Sequence, residues 1–595
     1  MADYTEFLPG QRLERSLSIS ADGTRVAYIS DASGQYNLHV QPVAGGAACQ
    51  LTDFTGRSVR EVAWAPDGAA IAFTADVGGD EECQVYLIPA SGGQPVSLST
   101  ASGQRYLAEK TAFDSAQQYV AYSGAGCSGV VACDLAARAE AVFAGPPGKH
   151  TFATAISPDG SWVLAGSIGS NTDCQCYIAH IKTSGGVLEP VTANLPGEYY
   201  YPCAWTADGS GFYVRTTDAD GEHVSLGLFS LASQGLTIVD SPPWDVEDVV
   251  VSADGRTVIW SVNEEGYSRL RGRRDGSDLP VPPIPDGVID AMSLSHDGSV
   301  LALLLDTPHG PPTVVTVFPG TDRPYHYLTD TRSSSVQAIG PELIRYPAAD
   351  GTLVPAWLYR PAGPGPHPVL VSVHGGPELQ ARPRYGALHQ CLLASGVAVL
   401  APNIRGSGGY GRGWQQRIYR DWGGIDLDDL GAAHAWLVAQ SWCTPDKVAV
   451  YGASYGGFVA LSCLTRLPEL WTAGVSVYGP ANLLTLATSM PASWAGTIAA
   501  MFGDPADPRD AEQLRRRSPV AYVGQIKAPL LVIQGANDPR TPQAESDQII
   551  AAARANGADP DYLLFDDEGH GFTSRDNDIK ANIAITTFLT KHLLV

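Results

Sequence analysis

With 595 residues the chain is too long for a single hydrophobic core, so at least two domains are expected. Its composition, 44% hydrophobic and 17% charged with 64 Gly and 43 Pro spread along its length, is that of a compact protein with many short turns. A formal net charge of −24 argues against nucleic acid and anionic membrane surfaces as partners.

The opening residues, MADYTEFLPGQRLERS, lack a basic stretch followed by an apolar one, so no secretory signal is expected. No segment approaches the roughly 18 apolar residues of a membrane span. The ten cysteines are scattered, and the C-Q-C pair Cys174–Cys176 has no neighbouring Cys or His to complete a zinc site. Reduced thiols in a cytoplasmic protein, with no metal and no cofactor, are the expectation.

Residues 1–335 repeat one phrase, a Ser/Thr-x-Asp-Gly turn followed by an apolar run. It reads SADGTRVAYIS at Asp22, APDGAAIAFTA at Asp67, SPDGSWVLAGS at Asp159, TADGSGFYVRT at Asp208, SADGRTVIWSV at Asp254 and SHDGSVLALLL at Asp297. SAQQYVAYS holds the third place, with Ala116-Gln117 where Asp-Gly would stand. The seven positions lie 43 to 49 residues apart, the length of a four-stranded propeller blade. Asp-Gly permits the positive-φ turn of a hairpin, and runs such as VAY, IAF and VIW suit a central strand. The spacing predicts an all-β seven-bladed β-propeller over residues 1–335, whose first residues can pack on the following domain. A propeller alone names no chemistry.

From residue 336 to 595 the rhythm changes to short apolar runs separated by helical segments. PVLVSVHGG, VAVLAPN, KVAVYGAS, AGVSVYG and PLLVIQG read as parallel strands covered on both faces, hence a doubly wound, mostly parallel α/β sheet. KVAVYGAS runs into Gly452-Ala453-Ser454-Tyr455-Gly456, a G-x-S-x-G between a strand and a helical run. That is the setting of the nucleophile elbow of an α/β-hydrolase domain, where the glycines relieve crowding around a strained serine.

A serine needs a base, and His570 is the only histidine before the C-terminal helical run that follows the elbow in a strand-end loop, DDEGHGF. The orienting carboxylate should follow a buried strand between the two, and Asp538 in LLVIQGANDPRTP does so. Asp504, Asp507, Asp547 and Asp561 compete by order alone, while Asp566 and Asp567 stand too near His570. Two backbone N–H groups should receive the oxyanion, one from Tyr455 and one from the uncovered loop at Gly375-Gly376, with Gly376 the candidate. His374 in that loop reads as structural. No G-x-G-x-x-G joins a strand to a helix, so no dinucleotide is expected.

HGGP at 374–377, NIRGSGGYG at 403–411, GASYGG at 452–457, GANDPRTP at 535–542 and EGHGF at 568–572 together resemble the prolyl oligopeptidase family, most of all its acylaminoacyl-peptidase and related bacterial branches. The resemblance implies a serine peptidase limited to short or unstructured peptides, because the propeller screens the active site. It also implies that Arg540, two residues after the triad Asp, binds a substrate carbonyl, and that Tyr478 and Trp494 lie in the region of the acyl-side pocket. Members that remove dipeptides hold the free amine with paired propeller glutamates; Glu81-Glu82 and Glu264-Glu265 are adjacent pairs but read as solvated loop acids.

The resulting expectation is a peptidase forming an acyl-enzyme on Ser454, with short peptides as partners and a homo-oligomer permitted. The alternatives are an esterase or amidase acting on acylated small molecules, and a non-catalytic scaffold, which the complete triad disfavours.

Overall fold

The computed structural model describes residues 2–99, 103–183, 185–195, 197–217, 221–331 and 337–595. Each Asp-Gly phrase turns the chain between the first and second strands of a four-stranded sheet, and there are seven such sheets, the third turning without Asp-Gly. In the first blade, Leu13–Ile19 turns into Arg25–Ser30 through Gly23 at φ +68°. Ser20 Oγ donates to Asp22 Oδ1 at 2.6 Å and accepts from Arg25 N at 3.0 Å. The side chains thereby satisfy amides that the tight turn leaves unpaired.

The irregular third unit keeps this geometry with other residues. Gln117 takes the positive φ, at +56°, and Asp114 replaces the leading serine, its Oδ1 accepting from Tyr119 N at 2.7 Å. The blade is correspondingly less regular. Its innermost segment is held by single bridges, Leu107 to Tyr122 and Phe113 to Val120, and its outer edge is completed by Gly186–Val187. First and last blades meet through Ile19 N donating to Ser293 Oγ at 3.0 Å and His296 N to Ala21 O at 3.1 Å, which closes the ring. The expected domain boundary at 335/336 lies outside the described residues.

The second half is one eight-stranded sheet. Its strands are β1 Glu342–Pro347, β2 Leu353–Tyr359, β3 His367–Val373, β4 Ala398–Pro402, β5 Cys443–Ala453, β6 Gly474–Val477, β7 Leu530–Gly535 and β8 Asp561–Phe565. Their order is 1-2-4-3-5-6-7-8, parallel from β4 through β8. Side chains alternate between two cores. Val369, Val371 and Val450 pack with Phe458 and Leu430, while Leu370, Ala449, Val475 and Ile533 pack with Leu392 and Leu589. Burial on both faces is why these strands read as continuous apolar runs. Tyr4 and Phe7, from the N-terminal turn Tyr4–Phe7, are buried in the second of these cores. No helix among the described residues is long and apolar enough to cross a membrane.

Candidate active site

Ser454 follows β5 at the N-cap position of the helix Tyr455–Arg466, with φ +57° and ψ −123°. A non-glycine residue in this region is strained, and the flanking glycines show what the surroundings demand. A Cβ at Gly452 would stand 2.2 Å from Gly456 O, and one at Gly456 would stand 2.3 Å from Val373 O. The elbow therefore tolerates glycine alone at both places.

His570 Nε2 lies 2.9 Å from Ser454 Oγ, and its Nδ1 lies 2.7 Å from Asp538 Oδ2. The Asp538 side chain is fully buried, and its Oδ1 accepts from Arg540 N and Thr541 N, both at 2.8 Å. Those amides fix the carboxylate, the carboxylate fixes the imidazole tautomer with hydrogen on Nδ1, and Nε2 is left free to accept from the serine hydroxyl. Three residues from the ends of β5, β7 and β8 thus meet as the sequence order predicts. The rival carboxylates are engaged elsewhere: Asp507 caps a helix through Arg509 N at 2.8 Å, and Asp547 accepts from Tyr562 at 2.9 Å.

The loop carrying His570 has a support that the sequence did not single out. Glu568 is fully buried and accepts from Thr573 N at 2.7 Å, Thr573 Oγ1 at 2.9 Å and Ser574 N at 2.9 Å. The propeller braces this loop and the Asp538 loop from outside. A Cβ at Gly79 would stand 2.7 Å from Gly569 N, and Asn537 Nδ2 donates to Gly78 O at 3.1 Å. Arg12 Nη1 donates to Phe572 O at 3.2 Å while its Nε pairs with buried Asp31 at 2.6 Å.

Tyr455 is the first residue of its helix, so its N–H is among those with no intrahelical acceptor. Its buried hydroxyl donates to Asp426 Oδ2 at 2.8 Å. Burial pushes the Asp426 carboxyl up to about 6, against the hydrogen bonds it accepts from Gly423 N, Tyr455 Oη and Leu427 N. Of the two glycines across from it, Gly375 presents its open flank to the nucleophile, since a Cβ there would stand 3.7 Å from Ser454 Cβ. Gly376, at φ +115°, turns the chain beside it. His374 lies 2.8 Å from Gly375 O through Nδ1 and 2.7 Å from Ser407 Oγ through Nε2. Burial pushes its pKa down to about 4, so the ring is neutral and ties two loops together.

Arg540 is not alone. Its Nε lies 2.8 Å from Glu81 Oε1 and 3.0 Å from Oε2, so Glu81 is a partner of the site rather than a solvated loop acid. The arginine side chain nevertheless remains 52% exposed, toward the interdomain cavity. Tyr478 packs its ring on His570, with centroids 4.5 Å apart. Trp494 is half-buried and meets propeller residue His150 edge-on at 6.2 Å. The first supports the imidazole from behind; the second closes a seam between the halves.

His570 and Arg540 open into a cavity of about 790 Å³ between the halves, roofed by the innermost propeller strands. The model of the prolyl oligopeptidase family matches residues 384–595, which contain all three members of the Ser–His–Asp array. The dipeptidyl aminopeptidase BIII of Pseudoxanthomonas mexicana is 29% identical over 97% of this chain and 86% of its own. Residues 384–595, the catalytic half, belong to the prolyl oligopeptidase family. With that half as its catalytic domain the chain is a serine peptidase. Two solved structures share the whole architecture. A prolyl endopeptidase superposes with a TM-score of 0.85 at 18% identity, covering 100% of this chain and 91% of that one. A puromycin-hydrolyzing peptidase of Mycobacterium tuberculosis gives 0.81 at 19% identity, covering 99% and 95%. At such identities the family likeness of these two rests on fold.

Proposed function

We propose that the chain cleaves short peptides through an acyl-enzyme on Ser454, with His570 as base and Asp538 as its orienting carboxylate. The observation that carries this reading is the hydrogen-bonded series from Ser454 Oγ through His570 to Asp538, opening into the cavity between the halves. Ser454 Oγ attacks the scissile carbonyl while its proton passes to His570 Nε2. The tetrahedral oxyanion is received by the N–H groups of Tyr455 and Gly376. His570 then protonates the departing amine, the C–N bond breaks, and water activated by the same imidazole releases the acyl group. Arg540 holds a second substrate carbonyl near the cleavage point.

The roof of propeller strands favours short, unfolded chains, since a folded protein cannot enter a cavity of about 790 Å³. The same reading places the enzyme in a reducing compartment, the cytoplasm: all ten cysteines are free thiols and nine are buried. A serine-directed fluorophosphonate tests the assignment, forming an O–P bond to Ser454 with loss of fluoride. Stoichiometric labelling of the peptide containing Ser454, with parallel loss of peptide hydrolysis, is the expected result. Hydrolysis that survives complete labelling would overturn it.

A further inference from the structure

The loop after β3 carries Gly376, the second oxyanion donor of the proposed mechanism, and then runs along the propeller. Its side chains cross the interface at every second position. Asn171 Nδ2, in a turn of the fourth blade, donates to Glu378 Oε2 at 2.7 Å. From the sixth blade, Asn263 Nδ2 donates to Gln380 Oε1 at 2.8 Å, while Arg382 meets Glu247 at 2.6 Å and Gly266 O at 2.7 Å. Arg384 pairs with Asp290 of the seventh blade at 2.5 Å. The even-numbered side chains share one face, as they do in an extended chain. The residues between them are tied by their backbone to the hydrolase half. Gly408 N donates to Leu379 O at 3.0 Å, and Asn403 bonds Ala381 N at 2.7 Å and Ala381 O at 3.0 Å.

Glu378 joins the two halves at a single carboxylate. Besides the bond from Asn171, its Oε1 accepts from Gln415 Nε2 and Tyr419 Oη, both at 2.7 Å. Tyr419 Oη also lies 3.2 Å from Thr172 Oγ1, so the turn at Asn171-Thr172 is engaged twice. Hydrogen bonds to an ionised acceptor are roughly twice as strong as neutral ones, so three such bonds hold the carboxylate firmly. Glu378 also adjoins the oxyanion glycine. A Cβ at Gly376 would stand 2.5 Å from both Glu378 N and Leu379 N, so the glycine is folded directly onto them. With φ +115° and the freedom of glycine, Gly376 cannot hold its own N–H in one direction. The residues that follow must do so.

We infer that Glu378 is a positioning residue for the oxyanion hole. By joining Asn171 of the propeller to Gln415 and Tyr419 of the hydrolase half, it aims the Gly376 N–H at the carbonyl that Ser454 attacks. The inference rests on the peptidase reading. It gives the propeller a part in the chemical step, because the fourth blade supplies a donor that holds this anchor.

The test combines anilide kinetics with inhibition by a peptide aldehyde and by the matching peptide alcohol. Ser454 Oγ adds to the aldehyde carbon, its proton passes to His570 Nε2, and the former carbonyl oxygen becomes an oxyanion at the Gly376 N–H. The alcohol fills the same subsites without forming an adduct. In Glu378→Ala, kcat should fall about 10- to 100-fold with KM little changed, the range for a misplaced oxyanion donor. The aldehyde's inhibition constant should rise by the same factor, and the alcohol's should stay as in wild type. Glu378→Gln keeps one acceptor oxygen and should recover part of both. Asn171→Ala, on an exposed turn, should show a smaller loss of the same kind at an unchanged melting temperature. A loss carried by KM, or an equal weakening of aldehyde and alcohol, would overturn the inference. So would an Asn171→Ala variant with the kcat of wild type. If wild type neither cleaves the anilide nor forms the aldehyde adduct at Ser454, the peptidase reading falls as well.

Discussion

Glu81, in the second blade, and Arg540, two residues past Asp538, form an ion pair across the domain interface, with Nε 2.8 Å and 3.0 Å from the two carboxylate oxygens. The pair is 459 positions apart in sequence. It fixes an arginine whose own N–H holds Asp538, so a propeller residue and the Ser–His–Asp array share one backbone segment.

If Arg540 grips a substrate carbonyl, Arg540→Ala should lower kcat/KM by about 10- to 100-fold, the worth of a hydrogen bond to a charged group. Glu81→Gln leaves the cation in place but free to wander, so its loss should be smaller. Because Glu81 acts through Arg540, the double variant should be no worse than Arg540→Ala alone. Steady-state kinetics on one peptide substrate measure all three; additive losses would show that Glu81 has a separate role.

Gly79 packs against the loop that carries His570, and its φ of +72° already favours glycine. In Gly79→Ala the new methyl meets the Gly569 backbone at 2.7 Å, which cannot yield without moving its neighbour His570. A displacement near 1 Å at a reacting group costs about 100-fold. Gly78→Ala meets the Asn537 side chain at 2.9 Å and should lose less, since a side-chain end can swing away. The expected pattern is a 10- to 100-fold loss of kcat, about the range set by misplaced reacting groups, for Gly79→Ala and a smaller one for Gly78→Ala.

His374 has its pKa pushed down by burial from 6.5 to about 4, so the folded protein refuses a proton that the unfolded chain accepts. Its contribution to stability is complete above pH 6.5 and is lost as the pH falls toward 4. The slope from this one group is at most about 1.4 kcal/mol per pH unit. His374→Gln should flatten the acid limb of a urea-unfolding series across that window. An unchanged slope would mean that His374 is protonated in the fold.

The sequence made the blades legible because each carries its own local turn chemistry. Even the third unit was placed correctly by spacing, and Asp114 and Gln117 explain why the turn survives without Asp-Gly. Ser454, Asp538 and His570 were legible because each follows a buried strand in the chain order this sheet imposes. What escaped were contacts between the halves. Glu81 looked like a solvated acid because its partner lies on a distant loop. Glu568 escaped because nothing in EGHGF itself marks a carboxylate that holds Thr573 and Ser574.

The account turns on Ser454 as the nucleophile of a peptidase. Hydrolysis of matched amino-acyl anilides, N-acetylated and with a free amine, by wild type and Ser454→Ala tests it most directly. The prediction is that wild type cleaves at least one anilide and that Ser454→Ala loses more than about 1,000-fold in kcat with its melting temperature unchanged. Anilide cleavage that persists in Ser454→Ala, or a wild type that turns over only an activated ester, would contradict the account.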